Sequence, residues 1–131
     1  MANGGIIGPV NTVSSAFTKD KLTAFTSGST SFNKATCNPA APGTATVIVI
    51  AGGGGSGGDA GGSGGAGGIT VTDNHPLPAS AVTVSIGGGG AGGSHPGGGA
   101  SGQGTASQFS SATPLSTTGG GRGGYASSRN G

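Results

Sequence analysis

Side chains able to do acid–base, nucleophilic or metal chemistry are scarce: Asp20, Asp59, Asp73, His75, His95 and Cys37 stand in a background of Ser and Thr, and there is no Glu. Paired-carboxylate hydrolysis needs two acids held across a cleft. Here Asp59 falls inside a glycine run and Asp73 in a cluster of turn residues, where Asp is common for backbone reasons. A Ser-His-Asp relay can be assembled on paper, but no serine has the strand-to-helix context of a nucleophile elbow. His75, His95 and Asp73 lack metal-ligand spacing. A G-x-G-x-x-G match in the first glycine run is nearly automatic at this composition; it follows a strand, precedes no helix and has no Gly-Lys-Ser/Thr after it. The expectation is a protein that is not an enzyme and holds no metal and no cofactor.

Composition narrows what remains. Gly supplies 34 of the 131 residues, 31% are hydrophobic, and there is no Trp, one Tyr and four Phe. Glycine buries no side chain and loses the most backbone entropy on folding, so a conventional core is thin for this length. Only 6% of residues are charged, which separates the chain from the charge-rich composition of disordered segments. The net charge of +2 comes from Lys19, Lys21, Lys34, Arg122 and Arg129. These bases form no cluster able to neutralise several phosphates, so no nucleic-acid partner is expected. Gly121-Arg122-Gly123-Gly124-Tyr125 has the form of a single arginine-glycine unit, without the repetition that RNA binding uses. One cysteine allows no intrachain disulfide; Cys37 is read either as a small buried apolar residue or as a partner for another chain. No stretch reaches the roughly 18 to 20 apolar residues of a membrane helix, and Met1-Ala2-Asn3-Gly4-Gly5 has no secretory signal character.

The elements that would position these residues are strands. Residues 21–26 are rich in strand formers, Ser27-Gly28-Ser29 reads as a turn, and residues 38–43 as a loop. Thr46-Val47-Ile48-Val49-Ile50-Ala51 is the strongest apolar run and reads as a central strand covered on both faces. In Ile69-Thr70-Val71-Thr72 and Val82-Thr83-Val84-Ser85-Ile86 apolar and polar residues alternate, giving each strand one apolar face. Asp73-Asn74-His75-Pro76-Leu77-Pro78 between them reads as a turn, and residues 105–109 as a further strand. The predicted fold is all-β, a small sandwich or sheet with no significant helix. Its boundaries are an extended N-terminal segment over 1–16, leading strands and a Pro-containing loop over 17–43, and a glycine-rich β domain over 44–131.

The glycine runs have a period. Residues 54–59 read Gly-Gly-Ser, Gly-Gly-Asp, and 61–66 read Gly-Gly-Ser, Gly-Gly-Ala; Gly89-Gly90-Ala91, Gly92-Gly93-Ser94 and, later, Gly120-Gly121-Arg122, Gly123-Gly124-Tyr125 repeat the pattern. A three-residue repeat matches the turn of a polyproline II helix, which has no internal hydrogen bonds, so its amides must find neighbours or water. Two glycines per turn leave two faces bare for close backbone approach. The period predicts packed Gly-Gly-X strands with Ser, Asp, Ala, Arg and Tyr outward, in contrast to flexible Gly/Ser linkers. Asp59, His95, Arg122 and Tyr125 then become candidates for surface contact. Ile6, Ile7, Pro9 and Val10 are candidates for anchoring on a partner, the equal alternative being that this segment lies on the chain's own sheet.

The series "ATVIVIAGGGGSGGDAGGSGGAGG", "ITVT", "AVTVSIGGGGAGGSHPGGG", "TASQFSS" and "GGGRGG" resembles the glycine-rich domain of bacteriophage tail-fibre and appendage proteins over about residues 44–125. The opening "MANGGIIGPVN" is similar to the N-termini of virion proteins of marine phages. The resemblance implies a structural virion protein, made in the host cytoplasm and exposed on the assembled particle. It also implies a homo-oligomer with a trimer favoured, other virion proteins as partners, and contact with a host receptor or glycan. The chain is short for a complete fibre and ends in open glycine-rich sequence, so two readings of it stand, a whole protein or a piece of a longer one, and in the second the receptor-contacting part lies beyond residue 131. The competing class is an ice-binding or other extracellular glycine-rich protein with bundled polyproline II helices. A silk-like matrix protein is disfavoured by the absence of long identical repeats.

Overall fold

The computed structural model describes residues 22–36, 43–94 and 99–124. Among the described residues six strands form: β1 (Ser29–Phe32), β2 (Thr44–Ile50), β3 (Ile69–Pro76), β4 (Val82–Ser85), β5 (Ser107–Phe109) and β6 (Leu115–Thr117), with one 3₁₀ turn at Lys34–Thr36. They make two antiparallel sheets, one ordered β1-β4-β5-β6 and one of β2-β3. The fold is all-β, as the alternation and composition predict. Val49 of β2, Leu77 after β3, Val82 and Val84 of β4 and Phe109 of β5 form the buried cluster between the sheets, with Phe25, Phe32, Val47, Ile86 and Leu115 packed around it. Phe32 lies against both Phe25 and Phe109 at ring separations of 6.3 and 6.1 Å, the tilted geometries that aromatic quadrupoles favour.

Three local readings need correction, and a fourth, the alternation in β3, holds and gains an orientation. Residues 22–26 form no strand; the leading strand begins at Ser29, and Phe25 is held by its ring contact with Phe32. β2 is not covered on both faces: Val47 and Val49 point into the sandwich while Ile48 and Ile50 are exposed. In β3 the alternation holds, but the half-buried threonines Thr70 and Thr72 face inward, and Ile69 and Val71 face out. Residues 73–76 continue β3 and make no turn. Thr44↔Pro76 and Ala45↔His75 remain paired, and the register slips only between Ala45 and Val47.

That slip is a bulge, with Asp73 and Asn74 opposite Thr46. Asn74 adopts φ 53°, a left-handed conformation that Asn tolerates better than most residues. Asp73 accepts a hydrogen bond from Thr46 Oγ1 at 2.8 Å. The turn residues therefore serve to insert one residue, which shifts the side-chain phase of the strand. As a result His75 and Leu77, not their neighbours, point into the core.

The glycine segments continue the strands. Tract I (51–58) follows β2, tract II (61–68) leads into β3, tract III (87–94) follows β4, tract IV (99–106) leads into β5, and tract V (118–124) follows β6. The β2–β3 register, Ile50↔Ile69, runs on without a shift as Ala51 N–H to Gly68 O, Gly54 N–H to Gly65 O and Gly57 N–H to Gly62 O. Likewise the Val84↔Phe109 register runs on as Thr105 N–H to Gly88 O and Gly102 N–H to Ala91 O, reaching Gly99 N–H to Ser94 O. Two long hairpins thus each begin as a β ladder and continue as glycine strands. What changes at the junction is the spacing: bonds recur every three residues, as a polyproline II turn requires.

Tract I is the hub. It donates to tract II from residues 51, 54 and 57 and to tract IV from 52 and 55; it accepts from tract III at Gly53 O and Ser56 O and from tract V at Gly52 O and Gly55 O. Backbone hydrogen bonds on every side do here what apolar side chains do in a conventional core. The outward positions are those the period predicts: Ser56, Asp59, Ser63, Ala66, Ala91, Ser94 and Arg122 are all exposed.

Candidate functional site

Two places gather chemistry-bearing side chains. The first is inside the sandwich, where buried His75 lies with its Nε2 2.9 Å from Ser111 Oγ and its ring edge-on to Phe109. A serine–histidine pair at this distance resembles half of a nucleophilic relay. Ser111 Oγ also lies within donating distance of Thr113 O at 2.7 Å, so the imidazole and a backbone carbonyl share one hydroxyl. Asp73, two residues before the histidine, is engaged with Thr46. The pair fastens the β5–β6 connection to β3.

The second place is the end of the glycine bundle remote from the sandwich. The first hairpin closes there in a four-residue turn, Gly61 N–H to Gly58 O at 3.0 Å, with Asp59 at φ 55°. Gly62 N–H donates to Gly124 O at 2.9 Å, which brings the end of tract V to this turn. Gly58 packs against the backbone of Gly93 and Ser94, which brings in the second hairpin's loop. The backbone at the Asp59 turn, at Ser94 and at Gly124 therefore meets at one end. Asp59 is on the turn itself and exposed, Ser94 precedes His95, and Gly124 precedes Tyr125. Arg122 is exposed on tract V, one residue from buried Gly123.

His95 and Tyr125 themselves lie outside the described residues, as do Cys37 and the anchoring candidates Ile6, Ile7, Pro9 and Val10. Among the described residues no group of three His, Cys, Asp or Glu could hold a metal ion, and no helix is long and apolar enough to cross a membrane.

Sequence reasoning missed one positioning residue. Ser101 is buried in tract IV and donates from Oγ to Gly123 O at 2.8 Å, tying tract V into the bundle. Its signal was available: residues 101, 104 and 107 repeat at the three-residue spacing, and buried Ser107 accepts from Gly87 N–H through its own Oγ at 2.9 Å. The tip is thus a small exposed surface held on five backbone strands. Those strands project about 20 to 25 Å beyond the sheets, at 3.1 Å per residue.

Comparison with curated proteins finds no match, and neither does comparison with solved structures. The model of the glycine-rich domain family matches residues 26–131, and the chain belongs to that family.

Proposed function

We propose that this protein is a structural component of a bacteriophage virion, a tail-fibre or appendage domain in which the sandwich is the base and the glycine bundle holds a contact surface outward. The observation that carries the reading is the meeting of the Asp59 turn, Ser94 at the end of tract III and Gly124 at the end of tract V at one end of a backbone-packed shaft. An exposed side chain at the tip, such as Asp59, can be exchanged without disturbing a packed core, and that suits a surface meeting different receptors or glycans. Support also comes from the order of strands and glycine runs, which resembles that of phage appendage proteins. In this reading Asp59, His95, Arg122 and Tyr125 contact the host, and Ile6, Ile7, Pro9 and Val10 anchor the chain on a neighbouring virion protein. The assembly is a homo-oligomer, with a trimer favoured.

Immunogold electron microscopy with antibody to the full chain tests the location. Labelling confined to tails or appendages of phage particles is the expected result; unlabelled particles alongside labelled host structures would sink the assignment. An ice-binding role has one observation in its favour, the small outward residues Ser63, Ala66, Gly88 and Ala91. Thermal hysteresis of the purified protein is its measure, and a value of zero removes it.

A further inference from the structure

The outer face of the β2–β3 ribbon is apolar and open. Ile48 is 59% exposed, Ile50 56%, Ile69 65% and Val71 59%. The four are direct cross-strand partners, Ile48 opposite Val71 and Ile50 opposite Ile69, so they form a contiguous two-by-two block. Cross-strand neighbours are about 5 Å apart and same-face neighbours along a strand about 7 Å, making a flat patch of a few hundred Å², the scale at which exposed apolar surface marks an interaction site.

The register makes the patch a specified feature. A one-residue slip would exchange the faces of a strand, and the bulge at Asp73–Asn74 shows that this ribbon adjusts its phase where a core residue requires it. Before the bulge, β3 turns Thr70 and Thr72 inward and its two aliphatics outward. The same outer side carries Thr44 and Thr46 at one end and leads into exposed Ala66 and Ser63 of tract II at the other.

We infer that this face is where copies of the chain associate. The block itself carries no charged side chain. Asp73, exposed at its border and accepting from Thr46, is set beside it, and Asp59 and Arg122 belong to the far end of the molecule. The four-residue block is therefore complementary to another flat, β-branched face, which a second copy supplies. The aliphatic block is about half of the ~800 Å² that each partner of a standard interface contributes, and the flanking threonines with Ala66 and Ser63 extend it toward that size. The other occupant to weigh is the segment 1–21. In an extended stretch its large apolar residues divide between two faces, Ile6 with Val10 and Ile7 with Val13 and Phe17, no two on one face closer than four residues, whereas a second copy brings four aliphatic side chains as one contiguous block. The inference deepens the homo-oligomer part of the proposed function and rests on it; a face that packs on its own copy pairs chains about a two-fold axis, so the contact it specifies is a dimer in place of the favoured trimer, while the virion location is tested separately.

The test is sedimentation equilibrium of the full chain from ~1 to 200 μM, beside Ile48→Lys, Val71→Lys and Val71→Thr, with Thr83→Lys on the exposed side of β4 as control. Circular dichroism and thermal melting confirm that each variant is folded. The expected result is a concentration-dependent oligomer for the parent and the Thr83 variant. Each lysine variant should run at the 11.8 kDa monomer mass, a loss of at least ~100-fold in association, or about 2.7 kcal/mol. The Val71→Thr variant should fall between. A folded lysine variant that still associates like the parent overturns the assignment of this face while leaving an oligomer in place. A parent that is monomeric at 200 μM overturns the association itself. If, in addition, deletion of residues 1–21 makes that monomer associate, the segment is the occupant.

Discussion

Replacing Gly55 by alanine tests whether the glycine tracts are packed strands or linkers. An ideal Cβ at Gly55 would stand 2.5 Å from the Ala91 carbonyl carbon and 2.8 Å from Gly90 O, and closer still to Ala91 O. Ordinary contact needs about 3.5 Å, so tracts I and III must part by roughly 1 Å or more. Both atoms in the way are backbone, with no flexible side chain to yield. The bonds joining the two tracts, Gly90 N–H to Gly53 O at 2.8 Å and Gly93 N–H to Ser56 O at 2.7 Å, would then stretch past useful geometry. A buried group left unpaired costs about 1–3 kcal/mol, so two give roughly 2–6 kcal/mol. Alanine returns about 0.4–1 kcal/mol by restricting the unfolded chain, leaving a net loss of about 3 kcal/mol against a typical total of ~5–15 kcal/mol. Gly88→Ala is the matched control. Nothing lies within 4 Å of its would-be Cβ, so only the unfolded-state gain remains, about +0.5 kcal/mol. Urea unfolding followed by circular dichroism should separate the two variants by about 1–3 M in midpoint, for m near 1–3 kcal/mol per M. Equal midpoints within error would refute backbone packing and restore the linker reading.

Two further substitutions examine other parts of the scaffold. Asn74→Val should cost about 1–2 kcal/mol, because a β-branched residue resists φ 53°, while Asn74→Gly should be near neutral; thermal melts that do not distinguish them would mean the bulge is not under conformational control. Ser101→Ala removes the Oγ–H donated to Gly123 O and should lower stability by about 1–2 kcal/mol. Proton exchange at the Gly123 amide, bonded to Gly55 O, should accelerate with it, and an unchanged exchange rate would remove Ser101 from its role in holding tract V.

Much of the fold was legible because β-branched alternation and the Gly-Gly-X period are local. Val82–Ser85 forms a strand with Val82 and Val84 inward, as a period-two reading requires. The outward places of Ser56, Ser63 and Ala66 follow from the period of three. Legibility failed where a local pattern has two tertiary solutions. Alternation in Ile69-Thr70-Val71-Thr72 names two faces without saying which is inside, and here packing of the two sheets chose the threonines. The turn-rich Asp73–Pro78 cluster could end a strand or bulge it, and only pairing with Thr44 and Ala45 decides. β6, at Leu115–Thr117, carries a single large apolar residue, too little to announce a strand. Of the candidate site, Asp59 and Arg122 stand out by breaking the glycine pattern. The meeting of the Asp59 turn with Ser94 and Gly124 depends on three non-local registers.

Those registers also explain why glycine is required in such number. Gly28 is the one described glycine with positive φ, so the tracts do not use glycine for its unusual conformations. They use the missing Cβ. Each of Gly52, Gly55 and Gly58 faces tract III, and each of Gly64 and Gly67 faces the backbone of tract I, all at the three-residue spacing. Removing the side chain lets neighbouring backbones come within hydrogen-bond distance on several sides at once, which a β ladder achieves on only two. Large side chains are thereby excluded from the shaft and admitted at two kinds of place: the outward X positions and the tip. Because every tract is continuous with a strand at one end, the sandwich clamps the bundle there. Variation in shape and charge is tolerated at the opposite end, where Asp59 closes the first hairpin and the loop after Ser94 joins tracts III and IV. A scaffold built this way confines side-chain change to the outward X positions and the tip, because a Cβ on the glycines that face a neighbouring tract would meet its backbone. The proposed contact role at the tip rests on that physical arrangement.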